Sequence, residues 1–171
     1  MHPLVKLAKI AVENYIKEGK IIYSIPFKLP KEFLERKAGV FVTIEQNKKL
    51  RGCIGTYLPI TKNVAEETIR NAISAATEDY RFEPITKEEL SSLSYTVYLL
   101  NPPELIKNLK ELNPKKYGVL VKSRIKSGLL LPDLEGVNTT EQQLFIACQK
   151  AGINPEKEKI IIYKFTVEKY Q

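Results

Sequence analysis

Apolar positions at Leu4, Leu7, Ala8, Ala11, Val12, Tyr15 and Ile16 recur every three or four residues. That spacing predicts an amphipathic helix over 3–18, with Gly19 as its C-terminal cap. Pro26 and Pro30 punctuate an extended connector over 21–30, and 31–36 has the length of a single helical turn. The character then changes. Residues 40–44, Val-Phe-Val-Thr-Ile, are β-branched and aromatic, and an extended pattern resumes over 50–55 after the polar stretch 46–49, so the pair predicts a β-hairpin. A second helix is predicted from an N-cap at Thr61 to Glu78. Its inward stripe (Val64, Ala65, Thr68, Ile69, Ala72, Ile73, Ala75, Ala76) is rich in small residues, which predicts a helix lying close against a sheet.

Thr86 with Glu89 reads as a capping box for a short helix. A strand follows over 93–100 and ends at Asn101-Pro-Pro103, and 103–110 predicts a helical segment with proline in its first position. Residues 117–121 and 128–131 predict a second hairpin around 123–126. Thr139 or Thr140 caps a helix to Lys150, with Gly152 just past its end, and 160–167 predicts the last strand. Strands arrive mostly as hairpins, with helices between hairpins. The expectation is therefore an α+β fold, a largely antiparallel sheet with flanking helices. A chain of 171 residues fits one domain spanning 1–171, with room for a small second lobe.

Composition is that of an ordinary globular chain, 43% hydrophobic and 27% charged. Lysine and arginine number 27 against 20 acids, a net charge of +7, but the cations are scattered, which favours a solvated surface over a nucleic-acid footprint. Two cysteines, Cys53 and Cys148, cannot form a secreted disulfide framework. There is no apolar run of about 20 residues and no signal-peptide core, so a cytoplasmic protein with no membrane partner is expected. The start Met1-His2-Pro3 enters a helix almost at once, as it would in a domain taken from a longer chain.

The stretch with unusual chemistry is Lys49-Leu-Arg-Gly-Cys-Ile-Gly55. If 50–55 is extended, Leu50, Gly52 and Ile54 share one face and Arg51, Cys53 and Gly55 the other. The second face sets a guanidinium two residues from a thiol, beside glycines that leave the backbone open to a ligand. Arg51 and Cys53 are the candidate catalytic pair, an anion anchor and a nucleophile. The bland alternative is a half-buried cysteine with Arg51 paired to a carboxylate. Asp79 and Arg81, in the loop after the second helix, either line a cleft or pair with each other. Cys148 shares a helical face with Leu144, Ala147 and Ala151 and reads as core. The single histidine, His2, sits at a terminus expected to be mobile, so neither a Cys-His pair nor a Ser-His-Asp triad is available. No zinc ligand set, phosphate-binding loop or dinucleotide fingerprint is present, so neither metal nor cofactor is expected.

These residues closely resemble the AMMECR family, named for a human candidate-region protein deleted in a syndrome of Alport nephritis, midface hypoplasia and elliptocytosis. The resemblance runs through Gly39-Val-Phe-Val-Thr, the hallmark Leu-Arg-Gly-Cys-Ile-Gly (50–55), Asn71-Ala-x-x-Ala-Ala76 and Asp79-x-Arg-Phe-x-Pro84. It continues through Gly128-Leu-Leu-Leu-Pro132 to Tyr163-x-Phe165. Tyr80 stands where the family often carries proline. The resemblance implies an antiparallel sheet with flanking helices and a cleft bordered by the hexapeptide, with Arg51, Gly52, Cys53, Gly55, Asp79 and Arg81 as candidate ligand-binding residues. It also implies an undetermined biochemical activity, with Memo-type and radical SAM proteins as partners in a shared modification pathway. Two classes of function compete: a domain that binds a ligand, a partner protein or, with weaker support, nucleic acid; and a thiol-dependent enzyme using Cys53 and Arg51. The lack of a histidine base favours the binding domain.

Overall fold

A computed structural model describes every residue from Met1 to Gln171. The chain forms two compact units, Met1–Leu100 with Glu168–Gln171, and Asn101–Val167. Both are mixtures of helix and antiparallel sheet, so the fold is α+β.

In the first unit, helix α1 (Pro3–Glu18) ends at Gly19 in the left-handed region (φ 69°), as its spacing predicted. The short α2 (Lys31–Glu35) follows the connector. Strands β1 (Gly39–Gln46) and β2 (Lys49–Thr56) form the hairpin, turning through Asn47 and Lys48, both with positive φ. Helix α3 (Val64–Thr77) is capped by Asn63, whose side chain accepts from Glu66 N–H. Thr61, the predicted cap, has its hydroxyl donated elsewhere, to Glu67 at 2.7 Å. The Thr86–Glu89 capping box is present and opens a 3₁₀ turn over 87–92, which leads into β3 (Leu93–Leu100). The sheet order is β2-β1-β3-β8, where β8 is Val167–Tyr170. Helices α1 and α3 pack on the sheet face that carries Val40, Val42, Ile44, Val97 and Leu99, all fully buried.

The second unit opens with β4 (Glu104–Leu105) and a 3₁₀ turn over 109–111. No α-helix forms across 103–110: Glu104 and Leu105 pair with Lys164 and Tyr163, and Asn108 caps only the short 3₁₀ turn. Strands β5 (Gly118–Lys122) and β6 (Ser127–Leu130) form the second hairpin, and α4 (Thr140–Ala151) is capped by Thr139 and ends at Gly152. The sheet order is β4-β7-β5-β6, with β7 spanning Ile161–Phe165. The predicted single strand over 160–167 is thus two strands in two different sheets. They break at Thr166, whose carbonyl accepts from Asn101 N–H at 3.0 Å and whose hydroxyl accepts from the Asn101 side chain at 2.8 Å. Cys148 is buried in this unit's core beside Ala147, Val119 and Val121. No helix is long and apolar enough to cross a membrane.

Candidate functional site

The hexapeptide is an edge strand with a bulge. Ile44 pairs with Gly52 and Glu45 with Leu50, which leaves Arg51 without a partner in the ladder. The extra residue switches faces at that point: Leu50 sits opposite Glu45, away from Gly52, and is 42% exposed. Leu50 therefore does not share the face of Gly52, as simple alternation predicted it would, and Arg51 is turned out of the strand. Its guanidinium forms a two-pronged pair with Glu89, Nε to Oε1 at 2.7 Å and Nη2 to Oε2 at 3.0 Å, and Nη1 donates to the Glu83 carbonyl at 2.8 Å. Hydrogen bonding from Arg51 holds the Glu89 carboxyl below its ordinary pKa. Arg51 thus staples β2 to the loop before β3.

Both glycines of the hexapeptide face protein. A Cβ at Gly52 would lie 2.1 Å from the Ala75 carbonyl oxygen, and one at Gly55 would lie 2.2 Å from the Phe41 ring. Gly52 lets α3 approach the strand, and the small-residue stripe of α3 answers it. Gly128 does the same for α4, with the Ala147 carbonyl oxygen 2.2 Å from its would-be Cβ.

Cys53 is half-buried, and its Sγ lies 3.3 Å from the Thr43 hydroxyl on the neighbouring strand. Because β2 is an edge strand, the Cys53 N–H has no strand to meet, and the Asp79 carboxylate accepts it at 2.9 Å. The same carboxylate binds Arg81 through Nε at 2.9 Å and Nη2 at 2.7 Å. Hydrogen bonding from Arg81, opposed by burial and aided by Cys53 N–H, pulls the Asp79 carboxyl down to about 2. The Arg81 pKa is raised in turn, first by its bond to Asp79, with the Cys53 thiol among the smaller charge contributions. The cation that Asp79 links to the Cys53 backbone is Arg81, while Arg51 is engaged by Glu89. The Arg81 side chain remains 44% exposed.

Two polar residues of α3 are buried: Glu67, which no motif singles out, and Asn71, which the sequence placed only within the family resemblance. Glu67 is fully buried and accepts from Thr56 Oγ1, Ile60 N–H, Thr61 N–H and Thr61 Oγ1 at 2.6–3.0 Å. Burial pushes its carboxyl up, and these four bonds more than offset that, leaving it below the usual range. Asn71, one turn on, donates to the Val40 carbonyl and to Thr56 Oγ1. Their i, i+4 spacing on a helix that otherwise buries small apolar residues was the available signal. They fix the loop that leaves the hexapeptide strand. His2, expected to be mobile, caps α1 by accepting from Leu4 N–H and stacks on Tyr170 at 4.1 Å.

A groove of about 690 Å³ lies elsewhere on the first unit, and none of the hexapeptide residues, Asp79 or Arg81 lines it. No group of three or more His, Cys, Asp or Glu side chains is placed to hold a metal ion.

A family model described as AMMECR1 matches residues 5–170. A Thermotoga maritima protein is 49% identical, over 99% of this chain and 98% of its own length. A Clostridium acetobutylicum protein is 46% identical over 98% of this chain, but the match spans only 34% of that longer protein. The crystal structure of an uncharacterized protein from Pyrococcus horikoshii superposes with a TM-score of 0.88, at 39% identity, covering 97% of this chain and 88% of that one.

Proposed function

The chain belongs to the AMMECR1 family, and from that premise we propose that it is a binding domain whose site is the corner formed by Cys53, Asp79 and Arg81. One observation carries the reading: the Asp79 carboxylate accepts from both Arg81 and the Cys53 N–H, so a partly exposed guanidinium is fixed at the edge of the hexapeptide strand. A preoriented guanidinium suits a carboxylate or phosphate on a ligand or on a partner protein. Acid–base catalysis has weaker support, since the single histidine is engaged as a helix cap far along the sequence from Cys53. The reading retains Memo-type and radical SAM proteins as the partners to test, within a shared modification pathway, and a cytoplasmic setting, which suits two cysteines that form no disulfide.

The test is co-retention of purified Memo-type and radical SAM proteins on the immobilised chain, with Arg81→Ala in parallel, and a thermal-shift series with citrate and pyrophosphate. Binding by the wild-type chain that weakens in Arg81→Ala supports the site. No binding to any of the four removes it. The competing thiol-enzyme reading has its own readout, iodoacetamide labelling against pH: Cys53 is expected to react at the rate of a model thiol at neutral pH, and a much faster rate would favour the enzyme. A nucleic-acid function would require retention on RNA or DNA at about 50 mM salt, and none is expected.

A further inference from the structure

The groove on the first unit is largely aliphatic. Ile69 and Ile73 of α3 are nearly buried where they line it, and Ile21, Ile22, Ile25 and Leu34 complete the apolar lining. Ile21 and Leu34 are still 45% and 44% exposed. Its volume, about 690 Å³, falls within the ~300–1,000 Å³ of sites that enclose a small molecule. Aliphatic surface left wet around a concavity of that size favours a ligand with an apolar body.

Arg70 and Ser74 add the polar component. They lie one turn apart on α3 and both line the groove. Side chains at i, i+4 are neighbours on a helix, so one acceptor can take a bond from each. Neither side chain donates to or accepts from any other group of the protein. This sets Arg70 apart from Arg36, Arg51 and Arg81, each of which meets a carboxylate. Glu66, at i−4, has the spacing to neutralise Arg70, but its carboxylate reaches back to accept Lys62 N–H at 3.3 Å. The guanidinium and the hydroxyl are thus two uncommitted donors beside an aliphatic surface.

That combination selects its ligand. A wholly apolar molecule leaves both donors unused. A head group of high negative charge meets Glu66, one turn before Arg70, and Glu78, one turn after Ser74, both in the lining. Lys62, the other cation of the lining, stands at the Glu66 end of the row. A single negative charge between the two acids fits, and the two oxygens of a carboxylate match two donors. We infer that this groove binds a small monocarboxylate with an apolar body, its head accepting from Arg70 and Ser74 and its body lying on Ile69 and Ile73. The site shares no lining residue with the Cys53 corner, so the two stand or fall separately.

The experiment titrates the whole chain with octanoate, 1-octanol and octyl phosphate and follows ¹H–¹⁵N spectra. Octanoate should move the amide signals of Ile69, Arg70, Ile73, Ser74 and residues 21–25 to saturation, and bind ~3–10-fold more tightly than 1-octanol. Octyl phosphate, with the same chain and a larger charge, should bind more weakly than octanoate. In Arg70→Gln the affinity for octanoate should fall to that for 1-octanol, which should itself be unchanged and so report an intact groove. Arg70 is exposed and engages nothing in the fold, so this variant should fold. Ser74→Ala, which removes only the hydroxyl, should weaken octanoate ~2–5-fold and leave 1-octanol as it was. No saturable movement of the groove amides with octanoate would overturn the inference. So would 1-octanol or octyl phosphate binding as tightly as octanoate, or an octanoate affinity that ignores both substitutions.

Discussion

Replacing Asp79 by Asn should weaken the fold in a way that depends on pH. The carboxylate is 7% exposed and accepts from Arg81 Nη2 at 2.7 Å, Arg81 Nε at 2.9 Å and Cys53 N–H at 2.9 Å. These bonds, Arg81 foremost, bring its pKa from 3.8 to about 2. That gap of roughly 1.8 units, at about 1.36 kcal/mol each, is about 2.4 kcal/mol. Arg81 is 44% exposed and screened by solvent, so about 1–2 kcal/mol should be measurable. Because the folded-state pKa lies below the unfolded one, the ionised carboxylate favours the native state. Its contribution is complete above about pH 4 and is lost as pH falls through 2. The asparagine variant has no such dependence. With a urea slope of about 2 kcal/mol/M, wild type and Asp79→Asn should differ in midpoint by about 0.5–1 M at pH 7. The difference should shrink to a small fraction near pH 2. A gap of equal size at both pH values would refute the assignment, as would none at pH 7.

Gly52→Ala should cost about 1–3 kcal/mol, because its Cβ would lie 2.1 Å from the Ala75 carbonyl oxygen and backbone must move on one side or the other; an unchanged urea midpoint would contradict that contact. Glu67→Gln turns one of two accepting oxygens into a donor facing donors and should cost about 3 kcal/mol. It should also speed exchange of the Ile60 and Thr61 amides, and native-like protection there would show that the carboxylate does not hold the loop. Arg51→Ala should lower stability by about 1–2 kcal/mol through the lost Glu89 pair yet leave the rate of Cys53 alkylation against pH where it was. A shifted rate profile would mean that Arg51 acts on the thiol after all.

Where local chemistry decides structure, the sequence was a sound guide. The Gly19 and Gly152 caps, the Thr86–Glu89 box, the hairpins and the strand over 93–100 all follow from neighbouring residues. What failed depended on distant partners. Residues 103–110 have a helical composition, but Lys164 and Tyr163 take Glu104 and Leu105 into a sheet. Thr61 is a good cap whose hydroxyl is claimed by Glu67, so Asn63 serves instead. The apolar run 160–167 gives no sign that Thr166 divides it between two sheets. At the candidate site, residue types were legible but their pairing was not. One bulged residue separates Arg51 from the face of Cys53, and Asp79, 26 positions away from the cysteine, brings Arg81 in its place.

The order in which the ribosome makes this chain differs from the order in which its first sheet is assembled. β8 follows the whole of the second unit in synthesis, yet it lies beside β3 in the sheet of the first. Until residues 167–170 emerge, β3 presents an unpaired edge through the time needed to make residues 101–166. Exposed strand edges are where nascent chains associate with one another. At synthesis rates of ~5–20 residues per second, that interval lasts ~3–13 s. A stop or a pause within the second unit would therefore leave the first with three of its four strands, a sheet open to a neighbour on the same polysome.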